Sequence, residues 1–298
     1  MSIEAEHLVA EAAWARARLD VDYNARATVG ERFADEMRQY RQTSEHVRKD
    51  FLSQGDIVYD PTSGQTLDIF GTDPSGALRP VFVFIHGGYW RALSKDDSSM
   101  MAGMLAKEGI ATAVVDYQLV PGATLAEIVR QIRSALAFLW HQGRNHGIDP
   151  EKIHIGGSSA GGHLVGMALV DGWHAGFGVP DAVVKSALPI SGLFDLAPIA
   201  ASFVQEWMSL DEDAVHSLSP IRHLPPAGCP IAVVWAEHEA PGFKRQSTAF
   251  ATAWSEAGFA VSTLEVCDRN HFDILMELQK KDTDLARTLL ALIKNTVG

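Results

Sequence analysis

The sequence predicts an α/β fold in which helices cover both faces of a mostly parallel central sheet. One observation is the unbroken apolar run of residues 81–85, because a run without alternation is typical of a strand that is buried on both faces. A second is the stretch of residues 125–139, where apolar residues recur every three or four positions, as on one face of a helix. Such strand and helix patterns alternate through most of the chain, and this alternation favours a parallel sheet.

The predicted elements follow one another in a regular order. Apolar residues between Leu8 and Leu19 predict an amphipathic helix, and residues 1–50 are expected to form a helical N-terminal extension. The predicted strands are residues 56–60, 65–70, 81–85, 111–116, 152–156, 183–190, 230–236 and 259–266. The predicted helices that follow the extension are residues 125–139, 163–170, 244–257 and 272–293. The Pro-containing stretch 191–229 fits neither pattern, so we expect a single domain, residues 1–298, with an irregular insertion there, near the active site.

Composition and charge exclude several classes of function. The 298 residues carry 25 basic and 37 acidic side chains, a net charge of −12, and no basic cluster longer than two residues, so we expect no nucleic-acid partner. No apolar stretch approaches the roughly 20 residues of a membrane span, and the first residues mix acids and bases, unlike a signal peptide. The two cysteines, Cys229 and Cys267, indicate no disulfide framework. We therefore expect a soluble, cytoplasmic protein with reduced thiols.

The strongest chemical signal is the G-x-S-x-G motif of residues 157–161, which stands between a strand pattern and a helix pattern. In α/β-hydrolases this motif forms the nucleophile elbow, a strained turn that lifts the serine oxygen above the sheet. The flanking glycines keep side chains from colliding in that turn. The motif predicts Ser159 as the nucleophile and the N–H group of Ala160 as a donor to the oxyanion. A glycine-rich packing loop is the alternative for the motif taken alone.

A second glycine-rich segment, HGGYW at residues 86–90, follows the apolar run of residues 81–85. At this place an α/β-hydrolase carries an HGGG-type segment that supplies backbone N–H groups to the oxyanion hole. We therefore predict that the N–H groups of Gly88 and Tyr89 join that of Ala160 as donors. The alternative is an ordinary strand-to-loop turn with a buried His86, and the position of the segment upstream of the elbow favours the oxyanion hole.

The remaining catalytic residues should follow the nucleophile in the order acid, then histidine. His271 follows the last predicted strand and precedes the last predicted helix, so it is the candidate base. Glu239 and Glu237 follow the strand of residues 230–236, and Asp195 follows an earlier strand. Glu239 is the best fit for the acid, with Glu237 and Asp195 as alternatives. The acid would hold the imidazole in the correct tautomer and stabilise the imidazolium.

Several segments occur in a fixed order along the chain: LDVDYNAR, QTLDIF, HGGYW, GGSSAGGHL, SGLFDL, EHEAPGFKRQS and NHFDIL. Together they resemble the serine-dependent kynurenine formamidases, or arylformamidases, of the α/β-hydrolase superfamily over nearly the whole chain. In that family the acid lies in a segment like EHDSPEF-RQS, which aligns with Glu239. The chain departs from the family where Glu239 replaces aspartate, where Ser158 replaces a common histidine, and where Trp235 replaces a small residue.

The resemblance implies a serine hydrolase that cleaves a small amide, above all an N-formyl arylamine such as N-formylkynurenine. Tyr89, Trp90 and Phe194 are candidates for an aromatic wall around an aryl substrate, and His163 is a further candidate for the pocket. A role in the core is the alternative for the three aromatic side chains, and a role in helix packing is the alternative for His163.

Other functional classes are left with less support from the sequence. The histidines match no H-E-x-x-H spacing, so we expect no metal and no other cofactor. A carboxylesterase with the same triad is the alternative function, and a non-catalytic, ligand-binding homologue is a third. The expected partner is a small-molecule substrate, and a homodimer stays open.

Overall fold

Eight strands form one sheet in the computed structural model, which describes residues 3–296. The strands are β1 (Leu52–Asp60), β2 (Gln65–Phe70), β3 (Arg79–Ile85), β4 (Ala111–Val115), β5 (Ile148–Ser158), β6 (Val184–Ile190), β7 (Ile231–His238) and β8 (Val261–Asn270). Their order in space is β1-β2-β4-β3-β5-β6-β7-β8. All pairings from β4 to β8 are parallel, and only β1 and β2 pair antiparallel with their neighbours. The prediction of a mostly parallel sheet is confirmed.

Helices pack on the sheet and form the N-terminal part of the chain. They are α1 (Ile3–Glu11), α2 (Arg16–Asp22), α3 (Ala25–Val29), α4 (Phe33–Phe51), α5 (Ala102–Lys107), α6 (Leu125–Gln142), α7 (Ala160–Leu169), α8 (His174–Phe177), α9 (Ala197–Ala200), α10 (Gln205–Met208), α11 (Glu212–Ser217), α12 (Pro241–Glu256) and α13 (Asp284–Lys294). The stretch 191–229 contains the short helices α9, α10 and α11. The division into domains made from the sequence stays a prediction.

Register in the sheet brings the predicted site residues to one edge. Ile85, the last residue of β3, pairs with Gly157 of β5, and Ser158 pairs with Ile190, the last residue of β6. Because the carboxyl ends of parallel strands meet at the same edge, the segments that follow β3, β5, β6 and β7 all leave the sheet there. That edge carries the HGGYW segment, the elbow, Ser191 and the loop after β7.

The predicted helix of residues 272–293 is wrong, because the structure has a 3-10 turn, Asp273–Gln279, followed by α13. The side-chain oxygen of Asn270 accepts the N–H groups of Phe272 and Asp273 at 2.8 and 3.0 Å, so a side chain replaces helical backbone bonding there. The Thr283 hydroxyl then accepts the N–H of Ala286 and starts α13 anew.

The predicted amphipathic helix between Leu8 and Leu19 is also interrupted. Ala15 is extended, with φ −56° and ψ 132°, and it separates α1 from α2. Next to the break, the Trp14 ring contacts two guanidinium groups, with its centre 3.3 Å from that of Arg18 and 5.0 Å from that of Arg245. Both are cation–π contacts on an aromatic ring.

The N-terminal helices are attached to α12 through one arginine. Arg245 donates to both oxygens of buried Glu11, at 2.5 and 3.0 Å, and to Asp22 at 2.7 Å. The Tyr23 hydroxyl donates to Glu11 at 3.1 Å and accepts from the Gln246 amide at 3.2 Å. These bonds cross the chain from its first residues to its last third, so the N-terminal segment packs close to the site.

We predict that Arg245→Met lowers the free energy of unfolding by about 2 kcal/mol, because it leaves the buried Glu11 carboxylate without its cation; the figure allows for the partial exposure of Arg245. The measurement is urea unfolding at pH 7. Arg38→Met is the matched control, since Arg38 pairs with Asp35 on the surface and its loss should change stability by no more than about 0.5 kcal/mol. Equal effects of the two substitutions would contradict a special role for Arg245.

Candidate active site

The predicted nucleophile Ser159 lies in the turn between β5 and α7. Its backbone has φ 58° and ψ −118°, a conformation that non-glycine residues rarely adopt. The turn tolerates no side chain on its flanks, since a Cβ on Gly157 would lie 2.6 Å from the Gly161 carbonyl oxygen. A hydrogen bond of 2.9 Å from the Ser159 N–H to the Ile190 carbonyl fixes the turn to β6. This is the geometry of a nucleophile elbow.

The HGGYW segment forms a second strained turn against the elbow. Gly88 and Tyr89 both have positive φ, 97° and 49°, and the Gly88 carbonyl accepts the N–H of Arg91 at 3.0 Å. A Cβ on Gly87 would lie 2.8 Å from the Ser158 carbonyl oxygen, which shows how closely the two turns meet.

The three N–H groups predicted for the oxyanion hole are free to bind a ligand. Within residues 3–296, those of Gly88, Tyr89 and Ala160 donate no hydrogen bond. Ala160 is the first residue of α7, whose unpaired N–H groups and dipole favour negative charge. The role of the three N–H groups as oxyanion donors stays a prediction.

His271 and Glu239 lie next to each other, directly after β8 and β7. The distance from His271 Nδ1 to Glu239 Oε1 is 3.6 Å, longer than a hydrogen bond but typical of a catalytic pair that tightens when substrate binds. Glu239 Oε1 also accepts the N–H of Ala236 at 3.1 Å and the hydroxyl of Ser191. Ser159, His271 and Glu239 are only 5, 4 and 8% exposed, so the site is largely closed to water.

The two alternative acids, Asp195 and Glu237, form hydrogen bonds with groups other than His271. Asp195 is buried and receives two hydrogen bonds of 2.8 Å from the Arg222 guanidinium. Glu237 is exposed and accepts the N–H of Asp268 at 2.9 Å. Among the described residues, the only carboxylate within 4 Å of the His271 ring nitrogens is that of Glu239. The geometry therefore favours Glu239 as the partner of His271.

An aromatic cluster surrounds the Tyr89 side chain. The rings of Trp90, Phe203, Trp207 and Phe243 lie 6.0 to 6.2 Å from the Tyr89 ring, and the Phe243 ring is 4.4 Å from that of His271. Burial raises the pKa of the Tyr89 phenol above its usual value, and the nearby Glu239 charge raises it further. The phenol is therefore neutral at any physiological pH.

The Tyr89 hydroxyl donates to the backbone carbonyl of Tyr23, so the N-terminal segment contacts this aromatic cluster directly. Phe203, Trp207 and Phe243 were not among the residues predicted for the site. Phe243 lies in the EHEAPGF segment, and that position was the one signal in the sequence that could have indicated it.

The other three predicted pocket residues are buried in the core. The Trp90 ring stands edge-on to that of His163 at 5.1 Å, and the Phe194 ring stacks on Phe250 at 4.1 Å. The Nε2 atom of His163 lies 2.8 Å from the Leu218 carbonyl, and burial lowers the pKa of His163 to about 4. These contacts are packing contacts, and a role in substrate binding stays a prediction.

One group of side chains in residues 3–296 has the spacing of metal ligands. Atoms of Glu237, His238 and Asp268 lie within 4.8 Å of one another, but all three residues are exposed. No further feature points to an ion there.

Two surface cavities have volumes of about 740 and 310 Å³. Arg222 and Glu256 help to line the first and Cys229 the second, and neither cavity is lined by residues of the elbow.

Known proteins share both the fold and the sequence pattern. The sequence model of the BD-FAE family matches residues 67–254. A kynurenine formamidase of Danio rerio is 31% identical over 243 residues, which cover 80% of this chain and 81% of the relative. A Silicibacter protein, provisionally assigned as a thioesterase, has a solved structure with a TM-score of 0.76 and 27% identity, covering 93% of this chain and 98% of that one. A Pyrobaculum calidifontis esterase shares the fold, with a TM-score of 0.71, 17% identity and coverage of 89% and 94%.

The fold and these relatives define a hydrolase of the α/β-hydrolase class. Since the BD-FAE match spans more than half of the chain and the Danio rerio enzyme aligns with four-fifths of it, the chain belongs to the kynurenine formamidase family within this class. The family predicted from the sequence is thereby confirmed. None of the helices in the described residues is long and apolar enough to cross a membrane.

We predict that His163 makes stability fall below neutral pH. Its pKa is about 4 in the folded chain and about 6.5 when unfolded, so the unfolded state binds the proton first as pH falls. Above pH 6.5 the imidazole is neutral in both states, and this contribution to the free energy of unfolding is fully present. The contribution is lost progressively from pH 6.5 towards pH 4, and the loss between pH 7 and 5.5 amounts to about 1 kcal/mol.

The measurement is urea unfolding at pH 7 and 5.5 for the native chain and for His163→Gln, whose amide can still donate to Leu218. The variant should lose about 1 kcal/mol less than the native chain over this interval. His46→Gln is the control, because His46 is exposed, and it should follow the native chain. A pH dependence that His163→Gln leaves unchanged would contradict the prediction.

Proposed function

We propose that the protein hydrolyses an N-formyl arylamine, and that its substrate is N-formylkynurenine, which it converts to kynurenine and formate. The observation that carries the proposal is that Ser159, Glu239 and His271 are all buried and that each directly follows one of the parallel strands β5, β7 and β8, at the same edge of the sheet. The aromatic cluster around Tyr89 supports an aryl substrate, since aromatic rings pack well against one another. The Danio rerio relative, a kynurenine formamidase, supports the same substrate.

The mechanism follows from the arrangement of the groups. Ser159 attacks the formyl carbon while His271 removes the hydroxyl proton, and Glu239 stabilises the resulting imidazolium. The N–H groups of Gly88, Tyr89 and Ala160 bind the oxyanion. His271 then gives its proton to the departing arylamine as the C–N bond breaks. Water, deprotonated by His271, attacks the formyl-enzyme and releases formate and free Ser159.

A carboxylesterase that uses the same groups is the second candidate. The nucleophile, the base and the oxyanion donors serve ester and amide alike, so only the fit of acyl and leaving groups separates the two activities. The rings of Tyr89, Trp207 and Phe243 favour a substrate with an aromatic leaving group over a simple alkyl ester.

We also propose that the protein works in the reducing cytoplasm. Cys229 and Cys267 are both free thiols, and burial raises the pKa of the Cys229 thiol to about 12, which makes it unreactive. The proposed partner is the small-molecule substrate alone. A homodimer stays a prediction.

The first test compares substrates. N-formylkynurenine should be hydrolysed with a higher kcat/KM than p-nitrophenyl acetate or butyrate, and Ser159→Ala should lower kcat for all three by on the order of 10⁴–10⁶-fold without unfolding the chain. The measurement is steady-state kinetics together with circular dichroism of the variant. If the short esters are preferred by a hundredfold or more, the protein is an esterase. If Ser159→Ala keeps most of the activity, the nucleophile lies elsewhere.

The second test separates the candidate acids. Glu239→Gln should lower kcat by on the order of 10³–10⁴-fold, because it removes the charge that stabilises the His271 imidazolium. Asp195→Asn is the matched control; it disturbs the pair with Arg222 and should reduce thermal stability more than kcat. Both variants are measured by kcat and by thermal unfolding. A silent Glu239→Gln with an inactive Asp195→Asn would transfer the role of acid to Asp195.

A further inference from the structure

Ser191 is a buried serine that bonds directly to the candidate acid. It is the first residue after β6, it is fully buried, and its hydroxyl donates to Oε1 of Glu239. The backbone holds it firmly, since its N–H donates to the Val234 carbonyl at 2.7 Å. Its side chain therefore reaches the carboxylate from the neighbouring strand end, 48 residues away in sequence.

Few other groups fix the position of the Glu239 carboxylate. Oε1 accepts one further hydrogen bond, from the N–H of Ala236 at 3.1 Å, and Oε2 has no partner within residues 3–296. The Nδ1 atom of His271 lies 3.6 Å from the same Oε1. Without the Ser191 hydroxyl, the buried Glu239 carboxylate would keep only the N–H of Ala236 as a hydrogen-bond donor in the described residues, although its side chain has three rotatable bonds.

The backbone of Ser191 adds a second observation. Its φ is +48°, in the left-handed region that favours glycine. A serine therefore occupies a position where the backbone conformation alone would suit glycine better. This placement is expected if the hydroxyl has a role of its own.

We propose that Ser191 is a positioning residue for the hydrolysis. It holds the longer glutamate side chain with Oε1 towards His271 and stabilises it as an anion. The inference rests on the proposed function, in which Glu239 and His271 act as acid partner and base. Ser191 itself touches neither the substrate nor the reacting atoms in this scheme.

The test begins with Ser191→Ala and Ser191→Gly. Both remove the hydroxyl, and glycine also relieves the backbone, so Ser191→Gly should unfold within about 3 °C of the native Tm. Both variants should lose on the order of 10–100-fold in kcat with KM changed less than about threefold, because a carboxylate out of place affects the transition state more than substrate binding. Ser247→Ala is the matched control, since Ser247 is an equally buried serine whose hydroxyl has no partner in the described residues. It should keep native kcat.

The pH–rate profile provides a readout that a merely structural role would not move. The Ser191 hydroxyl stabilises the Glu239 carboxylate more while His271 is neutral than after His271 is protonated and the two form an ion pair. Removal of the hydroxyl therefore makes protonation of the pair more favourable. The low-pH limb of kcat/KM for Ser191→Ala should therefore shift to higher pH. Among the described residues, the Tyr89 phenol is a titratable group that interacts with Glu239, and it is neutral. An unshifted limb would contradict the positioning role.

A double-mutant cycle completes the test. If Ser191 acts through Glu239, then Ser191→Ala should cause little further loss in a Glu239→Gln chain, whereas independent roles give losses that multiply. Multiplying losses, or a Ser191→Ala variant with native kcat beside an inactive Glu239→Gln, would overturn the positioning role and leave the proposed function intact. A silent Glu239→Gln would overturn the acid assignment and this inference together.

Discussion

Close approach of two backbone segments, the turn after β3 and the turn after β5, is the constraint on which the site depends. At the carboxyl ends of β3 and β5, a Cβ on Gly161 would lie 2.0 Å from the Ile85 carbonyl oxygen, and a Cβ on Gly87 would lie 2.8 Å from that of Ser158. Only glycine lets the turn after β3 lie against the turn that carries Ser159. The parallel register of β3 with β5 delivers both turns to the same height above the sheet. The turn after β3 and the strained backbone of Ser159 thus result from the positions at which β3 and β5 end.

Features determined by neighbours in sequence could be predicted from the sequence. The buried strands, the elbow at Ser159 and the HGGYW turn each depend on residue types within a few positions, and the position of His271 depends on the order of elements in the fold. The helix from 272 to 293 was predicted wrongly because its apolar spacing suits a helix. A side chain just outside it, Asn270, competes for the backbone N–H groups at its start.

Features determined by distant contacts could not be predicted in this way. Phe203 and Trp207 lie in a stretch without clear periodicity, and their contacts with Tyr89 join parts of the chain that are far apart in sequence. Ser191 lies in the SGLFDL segment, yet its bond to Glu239 depends on the spatial adjacency of β6 and β7. Burial of Trp90, His163 and Phe194 likewise depends on which face of each element the core covers, and spacing alone does not determine it.

The attachment of the N-terminal helices has a consequence for how the chain matures on the ribosome. Glu11 bonds to Arg245 across 234 residues, and the Tyr23 carbonyl receives the hydroxyl of Tyr89. The segment made first can dock only after the segment that forms α12 has been made. Pairing over such separations is slow, because loop closure precedes the gain from contact. The aromatic cluster around Tyr89 therefore receives the N-terminal segment only after α12 has been synthesised.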